Sequence, residues 1–376
     1  MSRPLIVNPL PLPPAPSALV AVDRAMSELR RGVPVVLQAQ DGRRVLALAA
    51  EAACQENLDR LAKLAPSGVL HVAVTGRRAI VLGLLTDDDP STATPAVALV
   101  DAPLLTPGHV VHLADPLDQS PAPTGLSVIT APLPGWAEGA VVLTKLARLL
   151  PACVVVAIDQ TPPGFLSVDV SDILAYQQNS ARSLRRVTEA QVPLADSEET
   201  RIVAFRPSDG GIEHLAIIIG DPDRDQPVLA RLHSECFTGD ILGSLRCDCG
   251  DQLRGAIAEI SKAGGGVLLY LAQEGRGIGL VNKLRAYQLQ DTGFDTLDAN
   301  LQLGFDDDER VYLPAAEMFR LLGVTKVRLM TNNPTKVQSL ARHGVEVVER
   351  VPHIFPSNNH NERYLHTKAT RSGHLF

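Results

Sequence analysis

The stretch PVLARLHSECFTGDILGSLRCDCGDQLRGAIAEISKAG, residues 227 to 264, contains three kinds of local order in one continuous run. PVLARLHSE is short and largely apolar, which predicts a β-strand. DQLRGAIAEISKAG carries apolar residues at helical spacing and closes on glycine, which predicts an α-helix. Between them lies a glycine-punctuated segment with three of the chain's five cysteines. A strand that feeds a helix through a functional loop is the unit of α/β architecture.

The pattern extends in both directions. RIVAFRP and HLAIIIGD upstream, with VLLYLA, KVRLMT and VEVVERV downstream, read as further strands. LVNKLRAYQLQDTG and PAAEMFRLLG read as helices. Nearer the N-terminus, AVDRAMSELRRG predicts a helix closed by Gly32, followed by a strand in VPVVLQA. LHVAVTG, AIVLGLL and CVVVAID predict strands, with GAVVLTKLARLL as a helix between them. SDILAYQQNSARSLRRV predicts a helix capped by Ser171.

At 376 residues the chain exceeds what one core normally supports, so two domains are expected. The expected fold class is α/β (α+β), with a mixed sheet and flanking helices in each domain. Repeated proline in NPLPLPPAPS predicts a flexible leader over residues 1–18. The first domain is then expected over 19–190 and the second over 191–376.

A composition of 45% hydrophobic and 20% charged residues argues against a wholly disordered chain. The net charge of −7 excludes nucleic-acid binding through a general basic field. No membrane-length apolar run or signal peptide is present, which predicts a cytoplasmic protein without a membrane partner. Its odd number of cysteines then predicts reduced thiols. Cys54 and Cys153 are expected to be small buried hydrophobes, and His109 and His112 packed or surface histidines.

Cys247 and Cys249 form C-x-C, which in an extended segment points both thiols to one side. Cys236 could close the set, and three soft ligands suit zinc. Three protein ligands would leave a place for water, whereas His233 as a fourth would make the site structural. Three unconnected thiols are the plain alternative. Downstream, QEGRGIGL (273–280) offers glycines that let backbone amides approach phosphate. NKLRAYQLQDTGFDT (282–296), DDDERVY (306–312) and TNNPTK (331–336) follow, and Arg276, Arg310 and Lys336 could supply positive charge.

Taken in this order, these segments closely resemble GTP cyclohydrolase II, which commits GTP to riboflavin synthesis. The resemblance spans roughly residues 185 to 376. It implies zinc ligands at Cys236, Cys247 and Cys249, with the substrate-contacting segment Arg231, Leu232, His233, Ser234 and Glu235. It further implies GTP contacts at Gln252, Glu274, Gly275, Arg276, Thr296, Thr331 and Lys336. Asp308 and Arg310 match the family's D-x-R pair, assigned as general base and nucleophile, and Tyr287 matches a tyrosine beside the metal. A guanidinium stays protonated at ordinary pH, so a phosphate clamp is the competing role for Arg310. Zinc would supply hydroxide at neutral pH to open the imidazole ring of guanine, and Mg2+ would accompany the triphosphate.

Two positions depart from the family pattern: Ala272 stands where arginine is common and Thr335 where lysine is common. Both bear on GTP affinity.

Residues 19 to 185 distantly resemble 3,4-dihydroxy-2-butanone 4-phosphate synthase, through AVDRAMSELRRGVPVVLQAQDG, TPGHVVHL and VSDILAYQQ. Where that family has a dense acidic motif, this chain reads GRRVLALAAE (42–51) with the single carboxylate Glu51. Where it has a metal-binding histidine, GWAE places Trp136. The resemblance therefore implies a first domain inactive as a synthase and, since that family is dimeric, a scaffold for a homodimer. Two other readings stay open: a cyclohydrolase-like paralogue of another pathway, and a GTP-binding regulator without turnover.

Overall fold

The computed structural model describes residues 17–65, 69–85, 97–101, 104–129 and 135–355. All but the last two positions of the expected leader lie outside these residues, as does the C-terminal tail after 355. No described helix is long and apolar enough to cross a membrane.

Two seven-stranded mixed sheets follow one another along the chain. The first contains β1 (Val35–Gln38), β2 (Arg44–Ala49), β3 (His71–Thr75), β4 (Val97–Asp101), β5 (Ser127–Ile129), β6 (Ala152–Ile158) and β7 (Ser167–Asp169). Its order is β5-β4-β3-β6-β2-β1-β7, antiparallel except where β1 runs parallel to β7. Around it pack α1 (Ala18–Arg30), α2 (Gln55–Leu64), α3 (Gly76–Val81), α4 (Pro107–Ala114), α5 (Gly135–Leu146) and α6 (Val170–Arg182). Helix α1 shows why: Val22, Ala25, Met26 and Leu29 form one buried stripe at the i, i+3, i+4, i+7 spacing. It closes at Gly32, whose φ of +74° is costly for other residues.

The second sheet contains β8 (Arg185–Gln191), β9 (Thr200–Arg206), β10 (His214–Gly220), β11 (Val228–Ser234), β12 (Gly265–Leu271), β13 (Lys326–Met330) and β14 (Glu346–Val351). Its order is β14-β13-β11-β12-β10-β9-β8. Strands β11 to β14 are parallel neighbours, and β8 to β10 form an antiparallel edge against β12. Helices α7 (Cys249–Lys262), α8 (Leu280–Asp291), α9 (Thr296–Gln302), α10 (Leu313–Leu322) and α11 (Pro334–Arg342) belong to this half of the chain. The fold is therefore α/β with two mixed sheets.

The cores do not divide as cleanly as the sheets. One face of the first sheet packs α1, α5 and α6. Its other face packs α2, α3 and α4 and is continuous with Ile278, Ala286, Leu289, Ala299, Leu303 and Phe305 from the second half. Helices α8 and α9 are thus seated on the first sheet. The second sheet is covered by α10 and α11 on one face and by α7 on the other.

Four local expectations differ from the structure. AIVLGLL (79–85) is not a strand: Thr75 Oγ1 accepts from the Arg78 amide and starts α3, which ends in a turn at Gly83. A short apolar run does not distinguish the two states, and the cap decides. Ser171 lies inside the first turn of α6, because β7 pairs with β1 as far as Asp169, which is the residue preceding the helix. That helix stops at Arg182, and Arg185 opens an exposed edge strand instead of continuing it. Cys54 is exposed at the start of α2, whereas Cys153 is buried in β6 as expected.

Candidate metal and nucleotide site

At its C-terminal end β11 delivers Arg231, His233 and Ser234 to a cleft, and the chain then turns through Cys236 into a short irregular helix, Phe237–Ile241. Asp240 organises that turn. Its carboxylate accepts from the Cys236 amide at 3.0 Å and from the Tyr270 hydroxyl at 2.9 Å, and both oxygens lie within 3.1 Å of His233 Nε2. Burial keeps the His233 pKa below its ordinary value, although Asp240 opposes the shift. His233 is thereby committed to Asp240, and the group able to hold a metal is Cys236, Cys247 and Cys249.

The thiols do not converge by alternation along an extended strand. Cys249 is the first residue of α7, Asp248 precedes it, and Cys247 directly follows the turn at 245–246. The three sulfurs lie within 4.8 Å of one another, with Cys236 and Cys247 Sγ 3.7 Å apart. Zinc–sulfur bonds of about 2.3 Å in a tetrahedron require sulfurs about 3.8 Å apart. The donor set therefore fits zinc. Gly239 is pressed against it: a Cβ there would stand 2.8 Å from Cys247 Sγ and 3.0 Å from Cys236 Sγ. Hydrogen bonds from Cys247 and Cys249, assisted by the Lys283 ammonium, hold the Cys236 thiol far below its ordinary pKa. The same sharing pushes Cys247 up to about 11 and Cys249 above its usual range.

Lys283 carries no expectation from sequence, yet it is central here. Its Nζ donates to Glu274 Oε1 at 2.8 Å, to Thr238 Oγ1 at 2.9 Å and to Cys236 Sγ at 3.1 Å. Glu274 in turn accepts from the Phe237 amide at 2.6 Å, so it braces the cysteine turn. Lys283 shares the inward face of α8 with Tyr287, four residues on. That spacing is the signal the sequence offered. The Tyr287 hydroxyl lies 3.3 Å from Thr238 Oγ1, and the Arg246 guanidinium stacks 4.9 Å from its ring centre. Burial raises its phenol pKa.

Arg231 is buried, donating to Met330 O at 3.0 Å and to Gln252 Oε1. Burial draws its pKa down to about 10. Arg310 meets Asp308 through two hydrogen bonds, Nε to Oδ1 at 2.7 Å and Nη2 to Oδ2 at 2.6 Å. Burial alone would raise the Asp308 carboxyl, but the Arg310 charge and hydrogen bonds outweigh it and leave it below the ordinary range. Gly275 and Arg276 both take left-handed backbone, with φ of +63° and +60°. Lys336 Nζ donates to Leu232 O at 2.9 Å, and Thr331 Oγ1 accepts from the Asn333 amide.

One cleft gathers the residues singled out from sequence: Arg231 to Cys236, Cys247, Cys249, Gln252, Glu274 to Arg276, Tyr287, Thr296, Arg310, Thr331 and Lys336. Asp308 stands behind Arg310 and does not line it. Arg246, Lys283, Gln290, Asn300, Asn332 and Asn333 also line the cleft and were not anticipated.

The GTP cyclohydrolase II family matches residues 185–352. A GTP cyclohydrolase-2 from Azospirillum brasilense is 56% identical over 377 residues, covering 97% of this chain and 96% of that protein. The riboflavin biosynthesis protein RibBA of Synechocystis is 41% identical over 315 residues, covering 78% of this chain and 54% of that protein. Among solved structures, a two-domain 3,4-dihydroxy-2-butanone 4-phosphate synthase from A. baumannii overlaps 82% of this chain at 17% identity, with a TM-score of only 0.34. Relatedness at 56% identity along nearly the whole chain, over a cleft built around three clustered thiols, has one reading: the chain belongs to the GTP cyclohydrolase II family of riboflavin-biosynthesis enzymes.

Proposed function

We propose that the enzyme is zinc-dependent and converts GTP to a phosphoribosylated diaminopyrimidinone, releasing formate and pyrophosphate. The observation that carries this is the meeting, in one cleft, of a three-thiol metal set with Arg231, Arg276, Arg310 and Lys336. Cys236, Cys247 and Cys249 would hold the ion, which when bound supplies hydroxide at neutral pH for attack on the guanine imidazole ring. Tyr287 and Lys283 flank the thiols and would orient that base. Arg231 presents a buried Nε without a hydrogen-bond partner among the described residues, a donor that a bound substrate could satisfy.

For the triphosphate, the geometry favours a clamp over a nucleophile. Asp308 is held below the usual carboxylate range, which makes it a weak base, and its two bonds fix the Arg310 guanidinium in a charged, oriented state. Mg2+ would neutralise the departing pyrophosphate. The remaining GTP contacts stand as inferred from the family pattern.

We also propose the division into domains at residue 190, a homodimer, and a first domain inactive as a synthase. Supporting the last, Glu51 is already engaged, accepting from the Leu150 amide at 2.7 Å and pairing with Arg285 at 3.2 Å. Trp136 is buried in the core between the first sheet and α1, α5 and α6.

The test is one time course of zinc-loaded enzyme with GTP and Mg2+, quantifying formate, pyrophosphate and product together. Equal amounts of all three are expected. Cys247→Ser should lose zinc and formate release, and Arg310→Ala should slow pyrophosphate release by about a thousandfold. GTP binding without turnover would instead favour a regulator, and turnover of ribulose 5-phosphate would show that the first domain is active.

A further inference from the structure

Among the described residues, every side chain lining the cleft belongs to the second half of the chain, between 231 and 336. The first half nevertheless reaches the backs of the segments that carry it. Lys145, in the last turn of α5, donates from Nζ to Glu309 Oε1 at 2.6 Å and lies 3.9 Å from Asp306 Oδ2. Its ammonium also stands 5.9 Å from the centre of the Phe305 ring. Glu309 separates Asp308 from Arg310 in the chain. Its Oε1 accepts from the Asp306 amide at 2.9 Å, and its own amide donates to Arg276 O at 3.1 Å. Arg276 closes the loop by donating from Nη1 to Asp307 O at 3.1 Å.

Three residues further along the same element end, Arg148 Nη2 donates to Ala272 O at 2.9 Å, directly before Gln273 and Glu274. The Arg148 carbonyl accepts from Asn282 Nδ2 at 3.1 Å, next to Lys283. A Cβ at Gly279 would stand 3.0 Å from Arg148 Cβ, so the two segments touch at that point. Arg148 has φ +59° and Arg276 has φ +60°; they are the two described non-glycine residues in this region of backbone space. Glycine is the usual occupant of a left-handed position after a helix. Backbone strain is kept at both sides of one contact zone, where a required geometry accounts for it.

We propose that Lys145 and Arg148 are positioning residues for the cyclohydrolase site. They act through the backbone of 272–282 and 304–310, setting where Arg276 and Arg310 stand without meeting substrate themselves. The inference rests on the reading of Arg310 as a group that meets the triphosphate. It is separable from simple attachment of the two halves, because attachment is already supplied by the apolar cluster that joins α8 and α9 to the first sheet. Loss of one ion pair leaves that cluster intact. Displacement of a reacting group by about 1 Å can cost on the order of a hundredfold in rate.

The experiment uses full-length, zinc-loaded enzyme in four forms: Arg148→Gly, Lys145→Met, Lys145→Arg and Arg310→Ala. Zinc per chain, thermal midpoint, kcat and KM for GTP are measured for each. Arg148→Gly and Lys145→Met should keep zinc and thermal midpoint while kcat falls about tenfold and KM stays within about threefold. Lys145→Arg, which retains the charge, should recover most of the rate. Arg148→Gly is the sharpest arm, since glycine relieves the left-handed backbone and a purely structural role would leave kcat unchanged. Unchanged kcat in both Arg148→Gly and Lys145→Met overturns the proposal. So does a loss of rate that tracks lost zinc or lost stability and is not recovered by Lys145→Arg. Full pyrophosphate release by Arg310→Ala would show that the reading beneath the inference has failed, and the inference with it.

Discussion

Gly239 shows how much one missing side chain can decide. It carries no chemistry, but the three cysteines close around it so tightly that a methyl group would sit 2.8 Å from Cys247 Sγ, 3.0 Å from Cys236 Sγ and 3.0 Å from Cys249 Cβ. Gly239→Ala should therefore weaken zinc binding by about tenfold or more, as losing a ligand-orienting neighbour does. Competition with a chelator measures this directly, and unchanged zinc affinity would show that the cysteine turn yields freely. The cysteines themselves were legible as a metal set because soft ligands at close spacing have few other uses. The part of Lys283 was not legible, since its three contacts come from segments 9, 45 and 47 residues away. His233 was ambiguous for a different reason: its partner Asp240 is nearby in sequence, but only the turn at Cys236 brings the two together.

Among the elements, the pairing of β10 with β12 is where a titrating group holds a strand end. These strands pair antiparallel from Leu215 against Tyr270 to Gly220 against Gly265. Just beyond the ladder, the Ala272 amide donates to His214 Nδ1 at 3.1 Å, so the imidazole continues the pairing that the backbone has ended. Burial, aided by nearby Arg148, lowers the His214 pKa from 6.5 to about 4. The folded protein thus binds this proton less readily than the unfolded chain does. Stability from this group is complete above about pH 6.5 and is lost as pH falls towards 4, by about 2 kcal/mol at pH 5. His214→Asn keeps a neutral acceptor and should remove that share of the acid loss. Denaturant midpoints at pH 7 and pH 5 check it, and an unchanged pH dependence would sink the assignment. The elements themselves were mostly readable, because apolar periodicity reports on one-sided burial. AIVLGLL was misread because a capping contact, not periodicity, starts α3 there.

At the scale of the whole molecule, the two halves share a core and a buried guanidinium. Arg78 is 4% exposed and donates to Leu113 O and His112 O in its own half, and to Gln302 O in the other. Burial draws its pKa down to about 10. Arg78→Met should leave those carbonyls unpaired and cost about 3 kcal/mol. A lower thermal midpoint checks this, and an unchanged one would mean that water or a shifted side chain replaces the bonds.

Sequence alone determined the α/β class, the three thiols, and the order of glycine-rich, acidic and basic segments along the chain. Those properties reside in local periodicity and residue chemistry, which need no knowledge of distant neighbours. The tertiary structure decided which face of α8 and α9 rests on the first sheet, that His233 serves Asp240, and that Lys145 and Arg148 stand behind the cleft. Each of these depends on a contact between residues whose proximity is created by packing, and an isolated lysine or arginine in a sequence carries no mark of the carboxylate or carbonyl it will meet.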